Sequence, residues 1–357
     1  MADNNYNVLG IMSGTSLDGI DLAYISFTEK RGKWSFEILE SDTVSYTDAW
    51  VKRLKNAVSF NETELDLLDR EYTFLLSEVI NSFIEKYNIK GVDAICSHGH
   101  TILHQPHNGF TLQIGNKPEL ADLLHHKVVC DFRVQDVKLG GQGAPLVPIG
   151  DRLLFSDYDF CLNLGGFSNI SFEENGVRIA FDISPVNTVL NHYANMLGYA
   201  YDDKGAIASS GNLVQNLLDE LNVLDYYSNP YPKSLGFEFV KTIVLPVIEK
   251  YPAKAEDVLH TFSVHVAIQL AEVLKKHEGN RLLITGGGAY NDFLIARLKE
   301  LLPEIEVVIP DDKVIQFKEA LIFGFLGVLR LNGEVNTLSS VTGAVRDHSA
   351  GNIFDFK

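Results

Sequence analysis

Two glycine-rich turns, one in each half of the chain, constrain its fold more than any other feature of the sequence. The first lies in residues 13–19 (SGTSLDG) and the second in residues 164–169 (LGGFSN), and apolar, strand-like residues flank both. Glycine lets backbone N–H groups approach an anion closely, and a set of such donors binds phosphate. One such turn is common in hairpins. Two of them, with a third glycine run at residues 286–288, predict two lobes that close on a nucleotide.

Length and charge narrow the class of protein. A chain of 357 residues predicts two domains, and a net charge of −17 argues against nucleic acid or an anionic membrane as the main partner. The three cysteines, Cys96, Cys130 and Cys161, are too widely spaced for a disulfide framework or a zinc motif and suit a reducing compartment. The first residues do not resemble a secretory signal, and no apolar run is long enough to span a bilayer. We therefore expect a cytoplasmic protein.

Hydrophobic periodicity places the first turn between two strands. This context argues against a P-loop or a dinucleotide fold, in which the glycine turn must open a helix. The clearest helix, residues 64–87, has one apolar stripe, and Thr63 with Asp66 resembles a capping box. In the first half we predict strands at 8–11, 20–27, 34–39, 92–96 and 127–130. In the second half we predict strands at 160–164, 170–173, 177–181 and 281–285, and helices at 263–277, 291–302 and 317–331.

Both halves thus share one order: strands around a glycine turn, then helix, strand and helix. There is no repeat at the level of residues, so the match predicts duplicated α/β lobes. The glycine-rich stretch 140–145 (GGQGAP) is the best candidate for the boundary between them. We expect an N-terminal lobe at 1–145 and a C-terminal lobe at 146–357, with the last residues able to pack back on the N-terminal lobe.

Seven short motifs, in order and spread over nearly the whole chain, give this layout a specific likeness. They are residues 12–19 (MSGTSLDG), 97–101 (SHGHT), 113–116 (QIGN), 131–133 (DFR), 140–146 (GGQGAPL), 164–169 (LGGFSN) and 286–291 (GGGAYN). The set resembles the anhydro-N-acetylmuramic acid kinase family, within the sugar kinase, Hsp70 and actin superfamily. The resemblance implies an α/β fold of two ribonuclease-H-like lobes with ATP and Mg²⁺ in an interlobe cleft. It also implies opening of the 1,6-anhydro bond of the sugar and phosphorylation of O6, as a step in peptidoglycan recycling.

Nucleotide contacts are expected at all three glycine turns. The first two turns suit the ATP phosphates, and the resemblance implies that the third approaches adenine and ribose. Asp18 is also the candidate for magnesium, directly or through water. Elsewhere in the superfamily an aspartate precedes each phosphate turn, but Met12 and Asn163 hold those places here, so analogy assigns no other metal ligand. The expected contacts are Gly14, Thr15, Ser16, Asp18, Gly19, Gly165, Gly166, Ser168, Gly286, Gly287, Gly288 and Asn291.

The resemblance also names a catalytic aspartate. The family carries it in the stretch FDCGPGN, which here reads FDISPVN at residues 181–187. Asp182 is then the general base toward water, and Asn187 is retained as a substrate contact. Ser184 and Val186 replace the two glycines of the stretch, so we expect a different backbone path in this loop. Without the resemblance, the residues favour the other interpretation of Asp182, a strand-end carboxylate that caps the next turn.

The remaining substrate contacts follow from the matched motifs. Arg133 has two interpretations: a surface ion-pair cluster with Asp131 and Asp136, or a fork for the lactyl carboxylate that distinguishes muramic acid from glucosamine. Glu319 either faces the cleft or is an acidic residue favoured near a helix N-terminus. The expected substrate contacts are Ser97, His100, Thr101, Gln113, Asn116, Arg133, Asn187 and Glu319.

Two alternatives to the hydrolysing kinase stay open. In a simple kinase for another amino sugar or anhydrosugar, Asp182 would deprotonate the sugar hydroxyl directly. A nucleotide-dependent switch of the same superfamily would catalyse no sugar chemistry. We expect a small anhydro amino sugar as the partner, with no nucleic acid and no membrane, and a homodimer is left open.

Overall fold

The computed structural model describes residues 4–14 and 16–357. Its strands are β1 Asn4–Ser13, β2 Ile20–Lys30, β3 Lys33–Val44, β4 Ala94–Gln105, β5 Phe110–Ile114, β6 Val128–Cys130, β7 Phe160–Leu164, β8 Phe167–Glu174, β9 Val177–Pro185, β10 Arg281–Thr285, β11 Glu306–Val308 and β12 Asn352–Phe354. In the described residues no helix has the combination of length and apolar character that crossing a membrane requires.

The helices are α1 Asp48–Asn56, α2 Glu62–Lys86, α3 Glu119–Leu124, α4 Val134–Lys138, α5 Pro148–Leu154, α6 Asn187–Met196, α7 Ala206–Ser210, α8 Gln215–Asn222, α9 Asp225–Ser228, α10 Phe237–Phe239, α11 Leu245–Glu249, α12 Ala255–Leu274, α13 Asp292–Leu301, α14 Asp312–Leu331 and α15 Ser339–Thr342. Single turns of 3₁₀-helix lie at Ala57–Ser59, Pro106–Asn108, Asp203–Gly205 and Gly287–Tyr290, and a π-helical turn at Val240–Val244 leads into α11.

The chain forms two compact units. Unit 1 contains residues 1–155 and 317–357, and unit 2 contains residues 156–316. This division differs from the predicted lobes in two ways. It falls after Phe155, because α5 belongs with unit 1, where Gly150 lies against Ile322. Unit 1 also takes in all of residues 317–357, whereas only the last residues were expected to pack there: β12 pairs antiparallel with β6, and Ala320 of α14 lies against Gly10 of β1. The backbone of α14 leaves helical values at Phe317, where unit 2 gives way to unit 1.

The glycine-rich stretch 140–145 does not separate the units. Gly143 N–H donates to the buried Asp136 carboxylate at 2.7 Å, and Gln142 N–H donates to the Thr342 carbonyl at 2.8 Å. These partners all lie in unit 1, so the stretch is held inside that unit.

Unit 1 has a mixed sheet in the order β12-β6-β4-β1-β2-β3, with β5 paired to β4. β1 and β2 are antiparallel, so the predicted strand–turn–strand context of the first glycine turn is confirmed. Helix α2 covers one face through a buried stripe that includes Leu68, Tyr72 and Leu76. Its capping box is formed by Asn61 and Glu64, so the predicted pair Thr63 and Asp66 was wrong. The other face receives α14, where the Ala320 carbonyl lies against Gly10 of β1.

Unit 2 has a five-stranded sheet in the order β11-β10-β7-β8-β9. β7 and β10 are parallel and have the predicted bounds, because each is a short apolar run that ends at turn residues. Helix α12 begins eight residues before its predicted start and packs its apolar residues into the core of this unit. The antiparallel strands β8 and β9 extend beyond their predicted ends, so Asp182 lies inside β9.

Candidate active site

The first glycine turn joins β1 to β2 in unit 1. A side chain at Gly14 would meet only ordinary contacts, the nearest being Ser16 Oγ at 3.4 Å, so packing of the turn does not require glycine there. Gly19 is different, because its Cβ would lie 2.6 Å from the Val44 carbonyl oxygen. Ser16 and Asp18 are exposed, and Thr15 lies outside the described residues. The open space at Gly14 suits a ligand that approaches the backbone closely.

Carboxylates from two other elements of unit 1 are coupled electrostatically near this turn. Asp21 of β2 lies opposite Met12 of β1, and Thr43 Oγ1 donates to it at 2.6 Å. Burial raises the pKa of Asp21, and the negative charge of Asp18 raises it further. Loss of solvation also raises the pKa of Glu319. The positive charge of Arg133 opposes this shift, and the negative charge of Asp21 adds to it. Like charges held this close are typical of a functional site.

The predicted sugar-contact motif of residues 97–101 lies within β4, and β5 runs beside it. The prediction that a strand ends at Cys96 was wrong, because β4 continues to Gln105. Gly99 has a φ of 73°, and a side chain there would lie 2.4 Å from the Ile114 carbonyl oxygen. The strand continues because its polar side chains find partners: Ser97 Oγ accepts from Gly99 N–H at 3.1 Å.

Burial divides the expected sugar contacts into two groups. Ser97, His100 and Gln113 are almost fully buried, whereas Thr101, Asn116 and Arg133 keep exposed surface. Gln113 Nε2 donates to Thr101 Oγ1 at 3.3 Å, and Asn116 Nδ2 donates to the His98 carbonyl at 3.3 Å. Gln113 Oε1 and Asn116 Oδ1 are buried and have no hydrogen-bond partner in the described part of the chain. Such orphaned acceptors are expected where a ligand or a water completes the site.

Arg133 is oriented by a buried histidine. Its Nε donates to His98 Nε2 at 2.8 Å, and its Nη1 donates to the Gly143 carbonyl at 2.7 Å. His98 Nδ1 lies 2.8 Å from the Gly99 carbonyl, so His98 is neutral with its proton on Nδ1. Burial, followed by the charge of Arg133, holds the pKa of His98 well below its usual range. Burial lowers the pKa of Arg133 to about 10, and Glu319 and Asp136 oppose this shift.

The surface ion-pair interpretation of this segment is not supported. Asp136 is fully buried and accepts from Gly143 N–H and from Thr342 Oγ1 at 2.7 Å. Asp131 accepts from Asn352 Nδ2 at 3.0 Å, and burial raises its pKa to about 6. Three N–H groups of Arg133 have no hydrogen bond to any described residue, so they remain available to a ligand.

His100 joins β4 to the end of β1. Its Nδ1 lies 2.8 Å from Ser13 Oγ, and that hydroxyl contacts Tyr46 OH at 2.5 Å. Tyr46 OH in turn lies 2.6 Å from Tyr72 OH of α2. Burial lowers the pKa of His100 to about 4, so the ring is neutral at physiological pH. His100 therefore fixes the strand that leads into the first glycine turn.

The second glycine turn joins β7 to β8 in unit 2. Gly165 has space for a side chain, with Asn163 Nδ2 at 3.4 Å, while Gly166 would contact Thr188 at 3.1 Å. Gly165 N–H donates to the Phe167 carbonyl at 3.1 Å, which closes the turn. The Ser168 hydroxyl is fully buried and donates to the Ser184 carbonyl at 3.0 Å. Ser168 therefore stabilises the β8–β9 pairing, and we leave it out of the proposed phosphate contacts.

The third glycine turn follows β10 and packs against the second turn. Side chains at Gly286 or Gly288 would collide with Leu164, whereas Gly287 is open, with Asn187 Nδ2 3.9 Å away. Asn291 is 7% exposed and caps α13 by accepting from Leu294 N–H, so its side chain is committed to the helix. Unit 2 thus brings together Gly165, Gly166, Gly287 and Asn187.

A cavity of about 460 Å³ opens in unit 2 close to the third turn. Ala206 lies in its wall, and the preceding residue, Gly205, packs against Asn291. The volume falls in the range of small-ligand pockets. The lining residues are Leu197, Tyr199, Ala206, Ile207, Ser210 and Glu256.

Asp182 is held by a distant segment of unit 2. Leu235 N–H donates to its carboxylate Oδ2 at 2.8 Å, and Tyr226 OH donates to its carbonyl at 2.7 Å. Oδ1 has no hydrogen bond within the described residues. Burial raises the pKa of Asp182, and the Leu235 N–H lowers it. The side chain lies inside β9 and accepts from Leu235 N–H, so it does not make the expected cap of the following turn.

Several residues at these sites were not predicted from the sequence. Ser13 and His98 lie inside quoted motifs and Asp21 lies two residues after the first of them, and the polar positions of an otherwise apolar strand could have identified all three. Tyr226 and Leu235 lie 44 and 53 residues from Asp182, so no local pattern could reveal them.

A metal could be held only by a small number of protein ligands. In the part of the chain that the structure describes, no three His, Cys, Asp or Glu side chains converge on one point. Magnesium commonly takes one or two carboxylates and completes its shell with phosphate oxygens and water. The coupled carboxylates near the first glycine turn fit that requirement, because a cation would relieve their mutual repulsion.

Comparison with known proteins gives a consistent result. Residues 6–356 match the family model described as anhydro-N-acetylmuramic acid kinase. Proteins named anhydro-N-acetylmuramic acid kinase from Haemophilus influenzae and Mannheimia succiniciproducens are 33% and 35% identical to the chain. These alignments cover 97% of this chain and 97% and 98% of the relatives. Among solved structures, component A of (R)-2-hydroxyglutaryl-CoA dehydratase from Acidaminococcus fermentans has a TM-score of 0.47 and 15% identity, covering 90% of this chain and 97% of that one. The chain belongs to the anhydro-N-acetylmuramic acid kinase family.

Proposed function

We propose that this protein hydrolyses the 1,6-anhydro bond of 1,6-anhydro-N-acetylmuramic acid and phosphorylates O6 with ATP. The products are N-acetylmuramic acid 6-phosphate and ADP, which fits a role in peptidoglycan recycling. Family membership over residues 6–356 supports the activity. The structural observation that carries the mechanism is Asp182, a single partly buried carboxylate with one oxygen held and the other unbonded.

Asp182 acts as the general base. The Leu235 N–H fixes Oδ2, so Oδ1 is the oxygen that accepts a proton from water. Burial raises the pKa of Asp182, which makes the carboxylate a stronger base. The water attacks C1 of the bicyclic sugar, and the C1–O6 bond breaks. This step resembles the attack of water in glycoside hydrolysis.

The oxygen that leaves C1 becomes the phosphate acceptor. O6 attacks the γ-phosphorus of ATP as the bond to ADP breaks, so phosphate captures the negative charge that a general acid would otherwise neutralise. One carboxylate base is therefore enough. The remaining requirement is to position the phosphates and to stabilise their charge.

The open glycines supply the phosphate contacts. Gly14 in unit 1 and Gly165, Gly166 and Gly287 in unit 2 are the positions at which the backbone is accessible and a side chain is tolerated or nearly so. Magnesium bound with ATP would neutralise charge on the phosphate oxygens. Asp18 and Asp21 are the carboxylates we propose to hold it, directly or through water. The cavity beside Gly205 is the space we propose for the nucleoside.

Arg133 is the proposed contact for the lactyl carboxylate. Its Nε is committed to His98, so the Nη groups must form the ion pair. Thr101 and Asn116 are the half-buried neighbours that we propose contact the sugar ring. Three buried neighbours hold these residues in place: Ser97, His100 and Gln113. We also propose that the sugar contacts Asn187 and Glu319.

Oxygen-18 water tests the chemistry. Hydrolysis places the label in the C1 hydroxyl of the product, whereas a simple kinase that deprotonates a sugar hydroxyl leaves C1 unlabelled. Asp182→Asn should lower kcat by at least about a hundredfold with ATP affinity retained. Absence of ADP release with any anhydrosugar would instead favour the nucleotide-dependent switch.

Arg133→Lys provides a test of sugar selectivity. We expect KM for the anhydromuramic substrate to rise while turnover of anhydro-N-acetylglucosamine, which lacks the carboxylate, is unchanged. An equal loss with both sugars would remove Arg133 from carboxylate recognition. We also propose a cytoplasmic location, because Cys96, Cys130 and Cys161 are all buried free thiols.

A further inference from the structure

We propose that residues 226–235 form a positioning element for the catalytic carboxylate, with Tyr226 and Leu235 as its working residues. This segment has no counterpart among the motifs from which the family resemblance was drawn. The inference rests on the proposed role of Asp182 as the base.

The segment makes hydrogen bonds to every polar group of Asp182 except Oδ1. Leu235 N–H donates to Oδ2 at 2.8 Å, and Tyr226 OH donates to the carbonyl at 2.7 Å. Asp182 N–H donates to the Lys233 carbonyl at 3.2 Å. Only Oδ1 makes no hydrogen bond to the described residues. A carboxylate held in this way presents the same oxygen in the same direction at every turnover.

The segment also holds the residue before Asp182. The Tyr231 ring stacks on Phe181, with centroids 5.1 Å apart and planes 10° from parallel. Lys233 Nζ lies 5.9 Å from the Phe181 ring centroid and 4.6 Å from the Tyr226 ring centroid, and it donates to the Tyr226 carbonyl at 3.0 Å. Lys233, near the end of the segment, therefore contacts both Tyr226 at its start and Phe181 of the strand that carries Asp182.

Tyr227 anchors the segment to the core of unit 2. Its hydroxyl lies 2.8 Å from His265 Nε2 on α12, and His265 Nδ1 lies 2.7 Å from Asn222 Oδ1. His265 is fully buried, and burial lowers its pKa to about 3, so the ring stays neutral and the link does not change with pH near neutrality. The positioning element is thus fastened to α12 as well as to β9.

The two working contacts should have separable effects. The Leu235 N–H stabilises the ionised carboxylate, so its loss raises the pKa of Asp182. The Tyr226 hydroxyl touches only the backbone, so its loss changes the position of the base without a direct effect on its charge.

Tyr226→Phe and Tyr231→Phe form a matched pair of variants. Both delete one hydroxyl from the same segment, but Tyr231 OH donates to Glu174 at 2.5 Å and does not reach Asp182. We expect Tyr226→Phe to lower kcat about tenfold with KM for ATP unchanged. Tyr231→Phe should keep wild-type kcat, because it retains the ring that stacks on Phe181 and loses only the hydroxyl bonded to Glu174. Equal kcat in both variants would overturn the role of Tyr226, because a purely structural contribution would not distinguish them.

Leu235→Pro removes the N–H donor. We expect the acidic limb of the pH profile of kcat/KM to move up by about one pH unit. An unmoved limb in a folded variant would overturn the role of Leu235. If urea unfolding shows that Leu235→Pro does not fold, the tyrosine pair carries the test alone. Asp182→Asn separates the two proposals: an active variant refutes the base assignment, whereas an inactive one with a normal Tyr226→Phe refutes only the positioning element.

Discussion

Acidification should destabilise unit 1 through His100, because burial disfavours protonation of this histidine in the folded state. The ring is 2% exposed, and its pKa in the folded protein is about 4, against 6.5 for the free side chain. Below pH 6.5 the unfolded chain binds a proton that the folded chain does not. Stability is therefore complete above that pH and falls as the pH drops toward 4.

The size of the effect follows from these two values. Between pH 7 and pH 5, the difference in proton binding costs the folded state about 2 kcal/mol from His100 alone. His100→Asn removes this titration but keeps an amide near the position of Nδ1, which contacts Ser13 Oγ at 2.8 Å. The variant should be less stable than wild type at pH 7, because ring packing is lost. The gap between the two proteins should shrink by about 2 kcal/mol at pH 5.

Urea unfolding followed by tryptophan fluorescence measures this gap. The chain has two tryptophans, Trp34 and Trp50, and both lie in unit 1 with His100. The other histidines are common to both proteins, so their titration cancels in the difference. Added salt should leave the shrinkage unchanged, since burial and not a screened surface charge causes it. A gap that is the same at both pH values would refute the reasoning.

Two further predictions concern glycines. Gly14→Val should fold with wild-type stability and lose ATP affinity by calorimetry, and unchanged ATP affinity would contradict the phosphate assignment. Gly19→Ala should instead lower the free energy of unfolding by about 1–3 kcal/mol, because its Cβ would lie 2.6 Å from the Val44 carbonyl oxygen. Gly327→Ala should destabilise unit 1 by a similar amount, since its Cβ would lie 2.1 Å from Cys96 Sγ, and Cys96→Ala should recover part of the loss. If adding Cys96→Ala to Gly327→Ala restored none of the lost stability, the strain would have to come from another contact.

Local patterns predicted much of the fold correctly. β7 and β10 have their predicted bounds because an apolar run ends at residues that cannot continue a strand. β4 was predicted too short, because a run of serine, histidine, glycine and threonine is typical of a loop. Its polar groups are satisfied by partners such as Arg133 and Asn116, which lie well outside the strand. A pattern within one segment contains no information about such partners.

The division of the chain was harder to predict for a related reason. Helix α14 is apolar on most of its surface, so its sequence does not say which sheet it covers. Close approach to Gly10 and to Cys96 places it on the sheet of unit 1. The sequence also placed the glycines that we propose to contact phosphate correctly in turns, but it could not separate Gly14 from Gly19. Only the neighbouring Val44 carbonyl shows that one glycine is required by packing and the other is not.

The loop after Asp182 shows why two substituted glycines need not change the chemistry. No residue from 182 to 187 has a positive φ, so glycine is not required for this backbone path. Ser184 N–H donates to Ser168 Oγ, and Ser168 Oγ donates back to the Ser184 carbonyl, both at 3.0 Å. Val186 is fully buried in the core of unit 2, and its N–H donates to the Gly166 carbonyl at 2.8 Å. The Val186 side chain therefore serves packing, while backbone groups of both residues fasten the strand that carries Asp182 to Ser168 of β8 and to Gly166 of the second glycine turn. If the residues beside β4 and β5 contact the sugar as proposed, a change in sugar selectivity would come from the half-buried Arg133 and Asn116, which keep unfilled hydrogen-bonding capacity.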